Sequence, residues 1–261
     1  MSAISTPAQI HNLALICANS HDRRIMSDKD DSKKSSIVVL ISGSGSNLQA
    51  IIDACQSEKI AADIAMVISN RPNVLGLQRA EQAGIPHSCI DHTQFASREA
   101  FDQALNERLE TINPDMIVLA GFMRILTPSF VTNFHGKMVN IHPSLLPKYP
   151  GLNTHQRAID DGERQAGVTV HFVTAELDGG PAIIQAAVDI EDNDDAKSLA
   201  AKVLIEEHTI YPRVISWFID GRLSLTNGKV MLDNEILPPH GFHSFKDASQ
   251  PNADQHAPNE H

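Results

Sequence analysis

Short apolar runs alternate with amphipathic stretches between residues 37 and 142. The run IVVLIS at 37–42 is continuous and rich in β-branched residues, which is typical of a strand buried on both faces. Similar runs predict further strands at 64–69, 87–90, 115–121 and 137–142. Helical spacing of apolar residues predicts helices between them at 47–56, 75–84 and 97–112, the last capped by Ser97. This alternation predicts an α/β fold with a doubly wound, mostly parallel sheet.

The pattern changes beyond residue 150. Residues 167–174 and 182–190 predict two long strands, and the segment AELDGGP between them favours an antiparallel pair. A long helix is predicted at about 195–218. We therefore expect a single domain over residues 37–239 with an antiparallel carboxyl-terminal portion.

The two ends of the chain differ from this domain in composition. Residues 1–36 close with an almost entirely polar and charged stretch, and residues 240–261 are rich in Pro, His, Asn and Asp without an apolar period. Such segments cannot bury enough apolar surface to order themselves, so both are predicted to be disordered. The tail histidines share no regular spacing, which favours a solvated tail over a metal site.

Composition narrows the class of protein. The chain has 261 residues, 42% of them hydrophobic, and a formal net charge of −11. This acidity argues against nucleic acid or an anionic membrane as a partner, because both require clustered Lys and Arg. The three cysteines form no CxxC pair and indicate a reducing compartment rather than disulfides or zinc. No apolar run approaches the roughly 20 residues of a membrane-spanning helix, so we expect a cytoplasmic protein, with an organelle address left open.

The segment LISGSGSN joins the first predicted strand to the first helix. Gly43 and Gly45 permit a tight turn. Ser46 or Asn47 can cap the helix, and the exposed N–H groups of its first turn favour an anion. A dinucleotide site would need a third glycine where Leu48 stands, and a P-loop would need Gly-Lys-Ser/Thr. The loop is interpreted as a site for a phosphomonoester, or else as a plain sharp turn.

Asn140 and His142 end the fifth predicted strand, at the sheet edge where open α/β folds bind ligands. Residues two apart on a strand point to the same side, so both can reach one substrate atom. A carboxamide beside an imidazolium suits a developing oxyanion, and a buried structural pair is the alternative. Asp178 stands on the constrained segment LDGGP, which could hold its carboxylate beside His142, although the same residues also make an ordinary turn.

Three further histidines lie outside this group. His171 shares a strand face with Thr169 and points either to the site or to solvent, so it is interpreted as a structural or supporting residue. His155 lies in a polar loop and is not expected to be catalytic. His208 is expected to pack on a helix.

Five segments that carry these residues occur in order between residues 37 and 239: ISGSGSNLQAII, LAGFMRIL, NIHPSLLPKYPG, VHFVTAELDGGPAIIQ and EEHTIYPRVISWF. Together they resemble the phosphoribosylglycinamide formyltransferases (GAR transformylases) of the folate-dependent formyltransferase superfamily. The resemblance implies a Rossmann-like formyltransferase fold and an enzyme of de novo purine biosynthesis. It would transfer a formyl group from the co-substrate 10-formyltetrahydrofolate to the amine of glycinamide ribonucleotide. The resemblance implies small-molecule partners, no metal, and a monomer or weak homodimer.

The resemblance also implies roles for individual residues. Asn140, His142 and Asp178 would be catalytic. The N-terminal half would hold the ribonucleotide phosphate, and the ribonucleotide contacts would be Gly45, Ser46, Asn47 and, at the ribose, Glu207. The C-terminal half would contribute to the folate site, whose residues would be Arg98, Met123, Arg124, Ile125, Leu126, Asn140, Thr174, Ala175, Glu176, Leu177 and Asp178. Leu204, one turn before Glu207, departs from the polar residue expected in this family.

In the implied reaction the amine attacks the formyl carbon, and Asn140 and protonated His142 donate to the developing oxyanion. Asp178 would order a water that carries the proton to the departing folate nitrogen. A 10-formyltetrahydrofolate hydrolase, which delivers water instead of an amine, is the nearest alternative. An enzyme that formylates methionyl-tRNA is opposed by the lack of a basic surface. A non-catalytic nucleotide-binding module is the alternative of another class.

Overall fold

The structure of the protein, a computed structural model, describes residues 34–244. Most of the predicted leader and all of the predicted tail beyond Ser244 lie outside the described residues. The leader was expected to extend through residue 36, but Ser35 and Ser36 already belong to the first strand, where they pair with the start of the second.

An eight-stranded mixed sheet and a three-stranded antiparallel sheet form the β structure of residues 34–244. The larger sheet has the strand order β11-β7-β6-β5-β4-β1-β2-β3. Its strands are β1 (Ser35–Ile41), β2 (Ala62–Ser69), β3 (His87–Cys89), β4 (Met116–Leu119), β5 (Met138–His142), β6 (Gln165–Phe172), β7 (Ala182–Asp189) and β11 (Phe242–His243). The smaller sheet comprises β8 (Leu223–Thr226), β9 (Lys229–Leu232) and β10 (Glu235–Ile236).

The pairing directions agree with the predicted architecture. All neighbours from β3 across to β5 are parallel. β6 is antiparallel to both β5 and β7. The predicted doubly wound, mostly parallel sheet with an antiparallel C-terminal portion is therefore confirmed.

The helices are α1 (Ser46–Gln56), α2 (Leu75–Gln82), α3 (Arg98–Ile112), α4 (Pro128–Asn133), α5 (Thr154–Asp160) and α6 (Ala196–Ile219), with a short 3₁₀ helix at His92–Gln94. Ser97 caps α3 as predicted, since its side chain accepts from the N–H of Ala100. Asp195 starts α6 in a capping box with Ser198. Within residues 34–244 no helix is both long and apolar enough to cross a membrane.

The core has one layer on each face of the larger sheet. Along β1, Ile37, Val39 and Ile41 belong to the layer that includes residues of α1 and α6. Val38 and Leu40 belong to the opposite layer, with residues of α3 and α4. All five side chains are fully buried. Because successive strand residues alternate between faces, a central strand covered on both sides must be apolar throughout, as the run IVVLI is.

Several elements of the structure were not predicted. Residues 154–160, expected to be loop, form α5, and residues 128–133 form α4. The segment from residue 240 was expected to be disordered, yet β11 pairs in parallel with β7, and the Phe242 ring packs edge-on against Trp217 at 5.9 Å between centroids. Strands of two residues and helices of six or seven are too short to show a hydrophobic period, so the sequence pattern gave no sign of them.

Candidate active site

The candidate site lies at the carboxyl ends of β1, β4 and β5, where parallel strands of an open sheet present their loops on one edge. The loop after β1, residues 42–47, is here called the glycine loop. Ser42 links it to the loop after β4, because its hydroxyl accepts from the N–H of Met123 at 2.7 Å. The same hydroxyl donates to the side-chain oxygen of Asn70 at 2.6 Å. These two bonds fix the glycine loop relative to the loop after β4 and to Asn70.

The carboxamide of Asn140 is oriented by His171. His171 Nδ1 lies 2.9 Å from the carbonyl of Phe172, to which it donates. Burial lowers the pKa of His171, whose side chain is only 3% exposed, so the ring is neutral and its Nε2 is an acceptor. The Nδ2 of Asn140, 3.1 Å from that nitrogen, donates to it. This arrangement fixes which end of the amide faces His171.

His142 stands between a carbonyl and a carboxylate. Its Nε2 donates to the carbonyl of Tyr149 at 2.9 Å. Its Nδ1 lies 3.5 Å from Oδ2 of Asp178, and both side chains are 8% exposed. That separation exceeds an ordinary N–H···O hydrogen bond, so this nitrogen is the one that a substrate atom can engage with the least loss.

Asp178 is held in place by its own backbone and by the N–H group of Gly151. Its Oδ2 accepts from the N–H of Gly151 at 2.9 Å, and its Oδ1 lies 3.9 Å from Nε2 of His171. Asp178 adopts φ 51°, which is uncommon for a residue with a side chain. Gly180 lets the loop approach β6, since a Cβ there would lie 1.8 Å from the carbonyl oxygen of Phe172. The predicted constrained loop therefore does hold the carboxylate against His142.

A cleft beside Asn140, here called the apolar cleft, contains most of the residues assigned to the folate site. Arg124, Ile125, Leu126, Asn140 and Thr174, Ala175, Glu176, Leu177 and Asp178 all line it. The structure adds lining residues that were not assigned to the folate site, namely Leu119, Phe122, Val131, His171 and Val173. Met123 and Arg98 are not among the lining residues. Met123 is 62% exposed, and Arg98 lies at the start of α3 with its Nε 3.9 Å from Glu99.

Arg124 is one of the residues that the resemblance assigned to the folate site. Its guanidinium stacks over the Phe101 ring at 4.7 Å from the centroid. The loop that carries it is fixed at its far end, where the N–H of Thr127 donates to Asp102 at 2.6 Å. Arg124 therefore stiffens the wall of the apolar cleft.

The glycine loop opens α1 without a side-chain cap. The N-cap residue is Gly45, with φ 71°, rather than Ser46 or Asn47, and no side chain within residues 34–244 caps the helix. The loop also packs closely on α2: the N–H of Gly76 donates to Gly43 at 3.0 Å, and a Cβ on Gly45 would lie 2.7 Å from the Gly76 Cα. The N–H groups of the first turn of α1 are thus available to an anion.

Glu207 reaches the glycine loop from α6. Its Oε2 accepts from Nδ2 of Asn47 at 2.6 Å. Burial raises the pKa of Glu207, and the bond from Asn47 partly offsets that effect. Carboxylates on helices are usually solvated, whereas Glu207 is partly buried. Asn47 Oδ1 is also buried and has no protein partner among the described residues.

The remaining histidines and acids add no second centre. His155 lies in α5, half-buried, where burial and the nearby His142 lower its pKa, so its assignment to a loop was wrong. His208 lies on α6 as expected. Within residues 34–244 no group of three or more His, Cys, Asp or Glu side chains is arranged to hold a metal ion.

Residues 35–215 match the model of the formyl transferase family. Phosphoribosylglycinamide formyltransferase of Escherichia coli (strain K12) is 53% identical over 206 residues, which cover 79% of this chain and 97% of that protein. The protein of the same name from Haemophilus influenzae is 50% identical over 206 residues, with the same coverage of 79% and 97%. The structure of a phosphoribosylglycinamide formyltransferase from Coxiella burnetii superposes with a TM-score of 0.78 at 50% identity, covering 81% of this chain and 99% of that one.

The family match at residues 35–215 covers strands β1 to β7 of the larger sheet and the site at its edge, and it identifies the protein as a formyl transferase. The chain belongs to that family and, within it, to the phosphoribosylglycinamide formyltransferases.

Proposed function

We propose that the protein transfers the formyl group of 10-formyltetrahydrofolate to the amine of glycinamide ribonucleotide. The observation that carries this proposal is the shared sheet edge, on which an uncapped helix start and the Asn140, His142 and Asp178 group are both found. The first suits a phosphate and the second suits a developing oxyanion. Membership in the family supports this choice of substrates.

The ribonucleotide would bind along the glycine loop. Its phosphate would accept from the N–H groups of Gly45, Ser46 and Asn47 at the start of α1. Its ribose hydroxyls would donate to Glu207 and to the buried Oδ1 of Asn47, which otherwise lacks a partner among the described residues. An unpaired buried acceptor is costly, so a hydroxyl donor at this point would add to affinity.

The folate would occupy the apolar cleft. Its ring system would lie against Ile125, Leu126 and Phe122, with residues 174–178 along its polar edge. The formyl group would then face Asn140, whose side chain lines the cleft and also belongs to the polar group on β5. Two substrates held on one edge in this way gain the rate advantage of proximity, with effective molarities of about 10⁵ M or more.

The transfer would begin with attack of the substrate amine on the formyl carbon. Negative charge then develops on the formyl oxygen, where Asn140 would donate its second N–H and His142 would donate from Nδ1. His171 contributes by holding the amide of Asn140 in one orientation. His142 is itself held by the Tyr149 carbonyl, so its ring needs little reorganisation.

Asp178 would act on both His142 and the transferred proton. Its carboxylate lies 3.5 Å from His142 Nδ1 and would hold the ring in position to donate to the oxyanion. It would also order a water that takes the proton from the attacking amine and passes it to the departing folate nitrogen. The bond between the formyl carbon and the folate nitrogen then breaks, which gives the formylated amine of the ribonucleotide and tetrahydrofolate, so no covalent intermediate on the protein is required.

The test is to mix purified protein with 10-formyltetrahydrofolate, with and without glycinamide ribonucleotide, and to follow folate release and the formylated product. We expect folate release to require the ribonucleotide and to match product formation one to one. The Asp178→Asn protein is the matched control for contaminating activity. Folate release at the same rate without ribonucleotide would instead identify a hydrolase. Ribonucleotide binding with no release would identify a nucleotide-binding module.

A further inference from the structure

The glycine loop alone does not balance the negative charge of a bound phosphate. A phosphomonoester carries nearly two negative charges at neutral pH, whereas a helix start supplies the equivalent of only about half a positive charge. Position 204 on α6, one turn before Glu207, holds a leucine and contributes no charge. Glu207 is itself acidic. A cation close to the loop would therefore add to the affinity for the phosphate.

Arg79 on α2 lies directly against the glycine loop. Its Nε donates to the carbonyl of Ser44 at 2.9 Å. Its Nη1 donates to Oε1 of Gln49, in the second turn of α1, at 3.1 Å. Its Cδ would be 3.5 Å from a Cβ built on Gly45. The guanidinium thus spans the loop and the beginning of the helix whose N–H groups face the anion.

The Arg79 guanidinium has more N–H groups than its bonds to Ser44 and Gln49 use. A guanidinium has five N–H groups, and the bonds to Ser44 and Gln49 use two of them. The bond to Ser44 also occupies that carbonyl oxygen, as the bond from Gly76 occupies the carbonyl oxygen of Gly43. Arg79 is also close to α6, since after burial its charge is the next cause that lowers the pKa of His208.

From this placement we propose that Arg79 is the phosphate-specificity residue of the site. It anchors the glycine loop through Ser44 and directs its remaining N–H groups at the phosphate, in place of a polar side chain at position 204. The inference rests on the proposed function for its substrate, but the recognised group is the phosphate itself.

Arg79→Gln removes the charge and keeps a donor for Ser44. We expect it to raise KM for glycinamide ribonucleotide by about tenfold to hundredfold, the usual scale of a lost charge-assisted hydrogen bond, with kcat changed less than about threefold. The diagnostic substrate is glycinamide riboside, which lacks the phosphate. On it, kcat/KM of Arg79→Gln should match that of the native protein. Arg108→Gln, on the exposed face of α3, removes a positive charge elsewhere and should leave kcat/KM unchanged on both substrates.

A purely structural role for Arg79 would lower kcat/KM equally on the ribonucleotide and the riboside, and that result would overturn the proposal. Arg79→Lys keeps the charge and should recover most of the affinity for the ribonucleotide. Calorimetric titration with inorganic phosphate separates this proposal from the catalytic one, because it needs no turnover. Native protein that binds phosphate at least about tenfold more tightly than Arg79→Gln supports the proposal, and equal or undetectable binding by both contradicts it.

Discussion

Two regions share one edge of the sheet but are built in different ways. The group on β5, β6 and the following loop consists of four side chains linked in series by close contacts, namely Asn140, His171, Asp178 and His142. Asn140 is partly buried, and the other three side chains are at most 8% exposed. The glycine loop after β1 presents backbone N–H groups at the start of a helix that no side chain caps. We refer to them as the side-chain centre and the glycine loop.

This difference predicts that the side-chain centre acts in the chemical step and the glycine loop in substrate binding. Donors built from side chains can be aimed at charge that develops only in the transition state, so their loss should lower kcat. Backbone N–H groups at a helix start bind a phosphate that does not react, so damage to the glycine loop should raise KM. The two regions should therefore be separable by mutation, and the predictions that follow try to break that separation.

The largest effect is expected for Asp178→Asn. The amide keeps an oxygen for the Gly151 N–H, but it removes the charge that faces His142. We expect kcat to fall by about 10² to 10⁴, with KM for the ribonucleotide within about threefold of native. Steady-state rates over both substrates measure this, with Asp63→Asn on the exposed edge of β2 as the control. A raised KM with native kcat would instead show that Asp178 acts in ribonucleotide binding, as the glycine loop does.

Gly45→Ala should damage the glycine loop. The residue has φ 71°, and the added Cβ would lie 2.7 Å from the backbone of Gly76. We expect KM for the ribonucleotide to rise more than about tenfold, and the free energy of unfolding to fall by about 1–3 kcal/mol from backbone strain. Denaturant unfolding with Gly43→Ala as control measures the second effect, since a Cβ at Gly43 meets nothing within 4 Å. Native KM in Gly45→Ala would show that the loop does not bind the phosphate.

His171→Phe tests whether orientation of Asn140 matters. The variant removes the acceptor for the Asn140 amide, and we expect kcat to fall about tenfold and stability to fall by about 1–3 kcal/mol. The native pKa of His171 is lowered, so the unfolded chain binds a proton that the folded chain excludes, and native stability is lost as pH falls through the ordinary histidine range near about 6.5. His171→Phe should show a shallower fall in that window. An unchanged pH slope, measured by urea unfolding, would contradict a neutral buried ring.

Glu207→Gln should have the smallest effect on activity and an opposite effect on stability. The amide can still accept from Asn47, so KM for the ribonucleotide should rise only several-fold. Burial raises the pKa of Glu207, so its contribution to native stability is lost as pH rises from the ordinary glutamate range through that raised value. The variant should therefore melt above the native protein at pH 8 and alongside it near pH 4. Equal melting temperatures at both would show that the carboxylate is not enclosed.

Most of the fold could be predicted because its elements are long and strictly periodic. The unbroken apolar run of β1 predicted a strand covered on both faces, and Ser97 fixed the start of α3. The elements that were not predicted are short or depend on contacts between residues distant in the sequence. β11 exists because Phe242 packs on Trp217 and pairs beside β7, and α5 spans only residues 154–160.

The site was predictable only where side chains carry the chemistry. Asn140, His142 and Asp178 could be named from strand position, loop composition and the family resemblance. The side to which His171 points could not be decided by period alone, because both faces of β6 are buried. The Tyr149 carbonyl and the Gly151 N–H that hold the centre are backbone atoms, which leave no mark in the residue pattern. The same holds for the uncapped start of α1, where the sequence offered Ser46 or Asn47 as a cap.

The most direct test of the division between the two regions is the single-turnover rate of formyl transfer at saturating ribonucleotide. Under that condition a binding defect disappears, while a defect in the chemical step persists. We predict that Glu207→Gln recovers to within about threefold of the native rate, whereas Asp178→Asn stays slower by about 10² or more. Recovery of Asp178→Asn, or an equal loss in both variants at saturation, would contradict the account.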